Sequence, residues 1–236
     1  MKHFALFIVI IALPFSMSAD PGNEAATLLD RLLKRSVSME GMVNYSTIKN
    51  DPDFRRTIEL LSAQHPDDTW KRNEEMAFWI NVYNVFTIKL IVDNMPLKSI
   101  MDLDKPWDRK FIELQGNIYS LNEIEHEILR KKFKDARVHF AINCASFSCP
   151  KLPRNAITAE NLEGELNRLT REFMEDGKRN QITGSALKIS QIFDWFKEDF
   201  EREGGVRTFI QRYSKVTIND DAEISYLDYD WSLNGK

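Results

Sequence analysis

Both cysteines of the chain, Cys144 and Cys149, lie in RVHFAINCASFSCPKL (residues 137–152), where an apolar run gives way to a turn. His139 belongs to the same stretch, and His126 precedes it by thirteen positions. A thiol beside an imidazole suits acyl transfer: the thiolate attacks an acyl carbon while the imidazole carries the proton. Cys144 is the candidate nucleophile, because it ends the apolar run and begins a turn that also holds Ser146 and Ser148. Such a thiol needs a lowered pKa, which a helix N-terminus or a neighbouring imidazolium supplies. In a straight strand His139 and Cys144 would face opposite ways, about 16 Å apart. His139 can therefore serve Cys144 only if the strand bends. His126, arriving from the preceding segment, is the freer base, with Glu123 or Glu125 to orient it. Both histidines stay candidates.

Other chemistries fit the same residues. A Cys144–Cys149 disulfide needs α-carbons within about 7 Å, which a tight turn achieves. So short a loop stabilises little by chain entropy, which leaves turn rigidity or redox switching as its purpose. Cys-x4-Cys is wider than the Cys-x-x-Cys of dithiol oxidoreductases. Cys144, Cys149, His126 and His139 are all zinc ligand types, but their spacing matches no standard finger. No metal or other cofactor is called for.

The elements that must position these groups follow from periodicity. Asn73 to Asn94 (NEEMAFWINVYNVFTIKLIVDN) has no charge between Met76 and Ile88, so it predicts a helix apolar nearly all round and central to the core. Asn81 and Asn84 share one face of it. Buried amides must be hydrogen-bonded, so they brace a neighbouring loop or hold a substrate. Asn81, Asn84, Asn143 and Cys149 are the candidate substrate contacts. Helices are also predicted over 23–35, 52–64, 121–133, 159–174, 191–200 and 206–213. The helix from Leu121 opens with Ser120 and Glu123 as a capping box. Phe111 to Tyr119 reads as a short hairpin around Gln115-Gly116-Asn117, and Val138 to Ile142, Ala186 to Ile189 and Glu223 to Ser225 read as strands. His65, before Pro66, reads as a surface loop residue.

The totals narrow the class. A chain of 236 residues, 43% hydrophobic and 29% charged, buries a full core. Its net charge is −4, with basic and acidic residues intermixed, which excludes the basic face of a nucleic-acid binder. MKHFALFIVIIALPFSMSAD has a basic start, an apolar run from Phe4 to Phe15 and small residues up to Ala19. That is the pattern of a secretory signal peptide over residues 1–19, with 20–236 as one domain. The expected location is periplasmic or secreted. The apolar run falls short of the ~20 residues of a spanning helix, so no stable membrane insertion is expected after cleavage. The expected partner is a small-molecule or peptide substrate; nothing names a protein partner.

Five segments, FWINVYN (78–84), LNEIEHEILR (121–130), RVHFAINCASFSCP (137–150), KISQIFDWFKEDF (188–200) and ISYLDYDWSLN (224–234), together resemble the family catalogued as domain of unknown function 547. The resemblance implies a single unit in which Asn81, Asn84, Glu123, Glu125, His126, His139, Cys144, Cys149 and Pro150 belong to one pattern. It supplies no settled activity. The expected architecture is α+β: a helix-rich single domain with a central buried helix and a small, mainly antiparallel sheet. Its outline is similar to papain-like and transglutaminase-like thiol enzymes, although those place the nucleophile at the start of the central helix and this helix has no cysteine. The leading functional expectation is a thiol-dependent hydrolase or acyltransferase acting on an amide or peptide-like substrate. The alternative is a non-catalytic periplasmic binding or scaffold domain with a structural Cys144–Cys149 disulfide.

Overall fold

The central helix organises the molecule. In the computed structural model, which describes residues 21–235, α1 spans Pro21–Ser36, α2 Tyr45–Lys49, α3 Pro52–Ser62 and α4 Arg72–Asn94. The signal-peptide expectation falls on residues outside those described. From Glu75 to Ile88 every residue of α4 is buried. Its length and apolarity would suit a membrane span, but here it lies inside the protein. Glu74 Oε2 accepts from the Lys71 N–H (2.9 Å) at its start, and α1 packs on α3 alongside it. The core is one continuous cluster that includes Leu32, Ile48, Met76, Ile80, Phe86, Phe140, Phe193 and Phe209.

Two small sheets flank this helical body. Strands β1 (Ile112–Leu114) and β2 (Asn117–Tyr119) form the expected antiparallel hairpin. Gln115 and Gly116 take positive φ at its tip. A three-stranded sheet follows in the order β3 (Gln181–Ile182), β4 (Ala186–Ile189), β5 (Glu223–Tyr226), antiparallel in its first pairing and parallel in its second. The α+β class holds, with two sheets where one was expected. Helix α5 covers Leu162–Glu175. The expected helix over 191–200 divides at Phe196 into α6 (Ile192–Trp195) and α7 (Lys197–Glu201), before α8 (Val206–Tyr213).

Three expectations need correction. The run Val138–Ile142 is no strand: a tight 3-10 helix spans Ala136–Phe140. Asp135 caps it by accepting from the Arg137 N–H at 3.0 Å, and all five residues 138–142 are buried, so no alternating face exists. A short run that is apolar on every side carries no period to separate helix from strand. The helix after Ser120 is capped as expected, by Glu123 Oε2 on the Ser120 N–H (2.8 Å) and Ser120 Oγ on the Glu123 N–H (3.1 Å). From Glu123 to Phe133, however, it is wound as a wide π-helix, a form rare at any length and found mostly at functional sites. Leu121, Glu125, Leu129 and Phe133, four apart, form its buried line. Finally, His65 is half-buried and not a free loop residue: its Nε2 lies 2.7 Å from Tyr119 Oη and its ring meets Trp79 edge-on.

The segment from Leu227 to Gly235 runs back across the molecule as a strap. Its backbone bonds to residues of four distant regions, Val43, Lys98, the cysteine turn at Ala145, Phe147 and Ser148, and Ile189 of β4. Tyr45 Oη donates to Asn234 Oδ1 in the interior (2.6 Å). A Cβ at Gly235 would run into the Val43 carbonyl oxygen, so only glycine lets the strap dock there.

Candidate active site

The turn that carries the cysteines is held from both sides. Asn143 spans it, with Oδ1 accepting from the Ala145 N–H (2.9 Å) and Nδ2 donating to the Pro150 carbonyl (2.7 Å). Asn84 of α4 grips the entry: its Nδ2 donates to the Ala141 carbonyl and its Oδ1 accepts from the Asn143 N–H, each at 2.9 Å. Asn81, one turn earlier on the helix, does the same to Ile157, at 2.6 and 3.1 Å. Both ends of all three amides are thus engaged within the protein. Of the two expected roles, Asn81, Asn84 and Asn143 show the bracing of neighbouring backbone. Arg179 supports the far side, with Nε on the Cys149 carbonyl (2.8 Å) and Nη2 on that of Phe147.

Cys144 is half-buried and Cys149 buried, and both are free thiols. Their sulfurs lie 2.8 Å apart. Cys149 Sγ also accepts from the Cys144 N–H (2.9 Å), and Ser146 Oγ (3.0 Å) and Tyr229 Oη (3.4 Å) reach Cys144 Sγ. Burial pushes the Cys144 thiol up. The hydrogen bonds from Cys149, Ser146 and Tyr229 outweigh it and bring the thiol down to about 6. Burial and the adjacent Cys144 charge hold Cys149 well above its ordinary range. Tyr229 is likewise raised, by burial first and then by the two sulfurs. Cys144 is therefore the thiolate of the pair, and Cys149 and Tyr229 are its protonated donors.

A cavity of about 180 Å³ opens onto these sulfurs. Glu125, His126, His139, Tyr83 and Asn122 line it together with an aromatic wall of Trp107, Trp195, Phe196, Tyr229 and Trp231. The structure thus brings every candidate catalytic residue, Cys144, His126, His139 and Glu125, to one cavity, with Cys149 beside them. Among the described residues neither imidazole hydrogen-bonds to a sulfur; the partners of Cys144 Sγ are Cys149, Ser146 and Tyr229.

The partners of each imidazole fix where its proton sits. His126 Nδ1 lies 2.7 Å from Arg130 Nη1. A guanidinium can only donate, so Nδ1 accepts and the proton of neutral His126 is on Nε2. Burial, then the Arg130 charge, lowers its pKa. His139 Nε2 lies 2.7 Å from Asp199 Oδ2. An ionised carboxylate can only accept, so here Nε2 carries the proton and Nδ1 keeps its lone pair. Burial lowers the His139 pKa, and Asp199 opposes that. Phe196 stacks on the ring at 4.0 Å. Burial raises Asp199, but its bonds to His139 and Arg130 (Nε, 2.6 Å) outweigh this and hold it well below the usual carboxylate range. The two candidate bases are therefore unlike: His139 offers a lone pair backed by a carboxylate, and His126 offers an N–H.

Glu125 orients neither histidine. Its Oε2 accepts from Tyr83 Oη (2.9 Å), and burial raises its pKa to about 7, against the lowering by that bond. It is a carboxylic acid able to donate at neutral pH. Glu123, the other proposed orienter, is spent on the helix cap and on Lys110. Among the described residues no group of three or more His, Cys, Asp or Glu is arranged to hold a metal ion.

Reasoning from sequence missed Asp199, Tyr229, Tyr83 and the tryptophan wall. The one available signal for Asp199 was an acid between Phe196 and Phe200, an arrangement that puts a carboxylate on an apolar helix face. Tyr229 lies in ISYLDYDWSLN, one of the segments that carry the resemblance, but nothing in its spacing tied it to Cys144, 85 residues away.

A family model described as "Protein of unknown function, DUF547" matches residues 68–174. That span holds both cysteines, His126, His139, Glu125, Asn81 and Asn84; Asp199, Tyr229 and the strap lie beyond it. No curated protein and no solved structure matches the chain.

Proposed function

We propose that this chain, of which residues 68–174 match the model of the DUF547 family of unknown function, is a thiol-dependent hydrolase or acyltransferase acting on an amide or peptide-like substrate. The observation that supports it best is the shared cavity: the Cys144 thiolate and the His139–Asp199 pair, joined at 2.7 Å, open onto the same small aromatic-walled space. In this reading the thiolate adds to the acyl carbon, and the Nε2–H of His126 and the Tyr229 hydroxyl donate to the developing oxyanion. The leaving nitrogen takes the proton of the Glu125 carboxyl and departs as the amine, leaving a thioester on Cys144. Water then gives a proton to His139 Nδ1 and displaces the thiolate, releasing the acid. The proton on His139 restores Glu125, so the net change is amide plus water to acid plus amine. An acyl acceptor in place of water makes the same cycle a transfer.

A small p-nitrophenyl ester tests it. We expect a burst of one nitrophenolate per chain, an acyl adduct mapped to Cys144, and in Asp199→Asn a burst followed by steady-state release at least roughly tenfold slower, because His139 acts in the hydrolysis of the thioester. A chain that releases nitrophenolate without an adduct on Cys144 overturns the reading.

The second reading, a non-catalytic binding or scaffold domain with a structural disulfide, draws on the 2.8 Å approach of the sulfurs. It requires that protein isolated without reductant have both thiols permanently blocked to iodoacetamide. Export to the periplasm or beyond the cell belongs to both readings and rests on the pattern of residues 1–19.

A further inference from the structure

We propose that Cys144 and Cys149 are a reversible oxidation couple, in which Cys144 takes oxygen from a small hydroperoxide and Cys149 resolves the product as an intrachain disulfide. The inference shares the Cys144 thiolate with the preceding reading but needs no acyl chemistry.

Geometry carries it. The sulfurs stand 2.8 Å apart, so forming a bond of about 2.05 Å requires each to move by less than about half an ångström. That small shift would cost little, because the turn is closed by other groups. Asn143 ties its start to Pro150, the Cys149 N–H donates to the Ser146 carbonyl (3.2 Å), and Arg179 fixes the Cys149 and Phe147 carbonyls. None of these bonds uses a sulfur atom, so the turn is held in either redox state. The two thiols also differ in access: Cys144 is half-buried at the cavity, while Cys149 is buried. A hydroperoxide therefore meets Cys144 first. The cavity, about 180 Å³, admits a small oxidant, and Ser146 Oγ and Tyr229 Oη stand within 3.4 Å of the reacting sulfur as donors to the departing oxygen.

The chemistry balances. The Cys144 thiolate attacks the distal oxygen of ROOH, the O–O bond breaks, and RO⁻ leaves with a proton from the site as ROH; Cys144 becomes a sulfenic acid. The Cys149 sulfur then attacks that sulfur. Its S–H proton leaves with the sulfenic hydroxyl as water, and the disulfide forms. An external thiol reductant, by exchange through a mixed disulfide, returns both cysteines to thiols and is itself oxidised.

The test uses the whole reduced chain and stoichiometric hydrogen peroxide, followed by alkylation under denaturing conditions and peptide mass spectrometry. Expected is the joint loss of both thiols, a Cys144–Cys149 cross-linked peptide lighter by two hydrogens, and recovery of both thiols with dithiothreitol. In Cys149→Ser the reaction should stop at a dimedone-trappable sulfenic acid on Cys144. In Cys144→Ser, Cys149 should stay reduced. Oxygen accumulating on Cys144 of the wild-type chain while Cys149 remains alkylatable overturns the proposal, and so does a chain in which neither thiol reacts; both results need no variant to fold. The nitrophenyl ester burst, run on the same reduced sample, separates the two readings. A burst without cross-linking removes this inference alone, and cross-linking without a burst removes the acyl-transfer reading alone.

Discussion

Helix α4 presents two polar sites that sequence alone would rank together. On one face Asn81 and Asn84 are buried amides, and each is saturated by a carbonyl and an N–H of a neighbouring segment. One residue before Asn84, Tyr83 reaches Glu125 at the cavity, where an acid, two imidazoles and two thiols have pKa values displaced from their ordinary ranges. The first site spends its hydrogen-bonding capacity on holding the chain. The second keeps capacity in reserve: a lone pair on His139, a proton on Glu125, a charge on Cys144. Burial alone does not distinguish structure from chemistry; what matters is whether donors and acceptors are used up.

That contrast can be broken by substitution. Replacing Cys144 with Ser should have the largest effect, lowering acyl transfer by roughly 10³-fold or more while thermal stability changes little; equal activity in the variant would move the chemistry elsewhere. Next is a pH effect. Glu125 is raised in the folded chain to about 7 from 4.5. It therefore stabilises the fold fully below pH 4.5, and that contribution falls away as pH rises through 7. Relative to Glu125→Gln, the wild-type chain should lose roughly 3 kcal/mol across that window, measurable by urea unfolding at several pH values. A constant difference between the two proteins would show that Glu125 is ordinary.

Asn84→Ala should act the opposite way to Cys144→Ser. It orphans the buried Ala141 carbonyl and Asn143 N–H, for a loss of about 2 kcal/mol, while the folded fraction keeps its iodoacetamide reactivity. If reactivity falls in step with the burst, the brace belongs to the chemistry after all. The smallest effect is expected of Tyr229→Phe. Loss of one donor to the thiolate should raise the midpoint of Cys144 alkylation from near 6 by about half a unit to one unit, read as rate against pH.

Much of this arrangement was legible in the chain. Charge-free Met76–Ile88 announced the central helix, and Ser120 with Glu123 announced the cap of the helix that begins at Leu121, because both signals are local. The gathering of Cys144, Cys149, His126 and His139 followed from their closeness in sequence. The winding of residues 123–133 was not legible, since the same apolar spacing serves an α-helix or a wider one. Neither was the 3-10 turn at 136–140, whose capping Asp135 precedes a run with no polar face. The strand expected there had set His139 against Cys144; the tight helix instead turns its Nε2 to Asp199, 60 residues on. The resemblance included the segments that hold Asp199 and Tyr229, but long-range partners leave no mark on a local pattern, so their contacts with His139 and Cys144 had to come from the fold.

The strap gives the site an order in time. Tyr229 and Trp231, which wall the cavity, and the first of which bonds to the Cys144 sulfur, are made 85 and 87 residues after that cysteine. A chain growing from its N-terminus has its thiol, both imidazoles and the cysteine turn long before this wall can close over them. Until the strap docks, Cys144 lacks one of its donors and should behave as a more ordinary, less acidic cysteine. The full acidity of the thiol therefore waits on the docking of the strap, which completes the cavity around it.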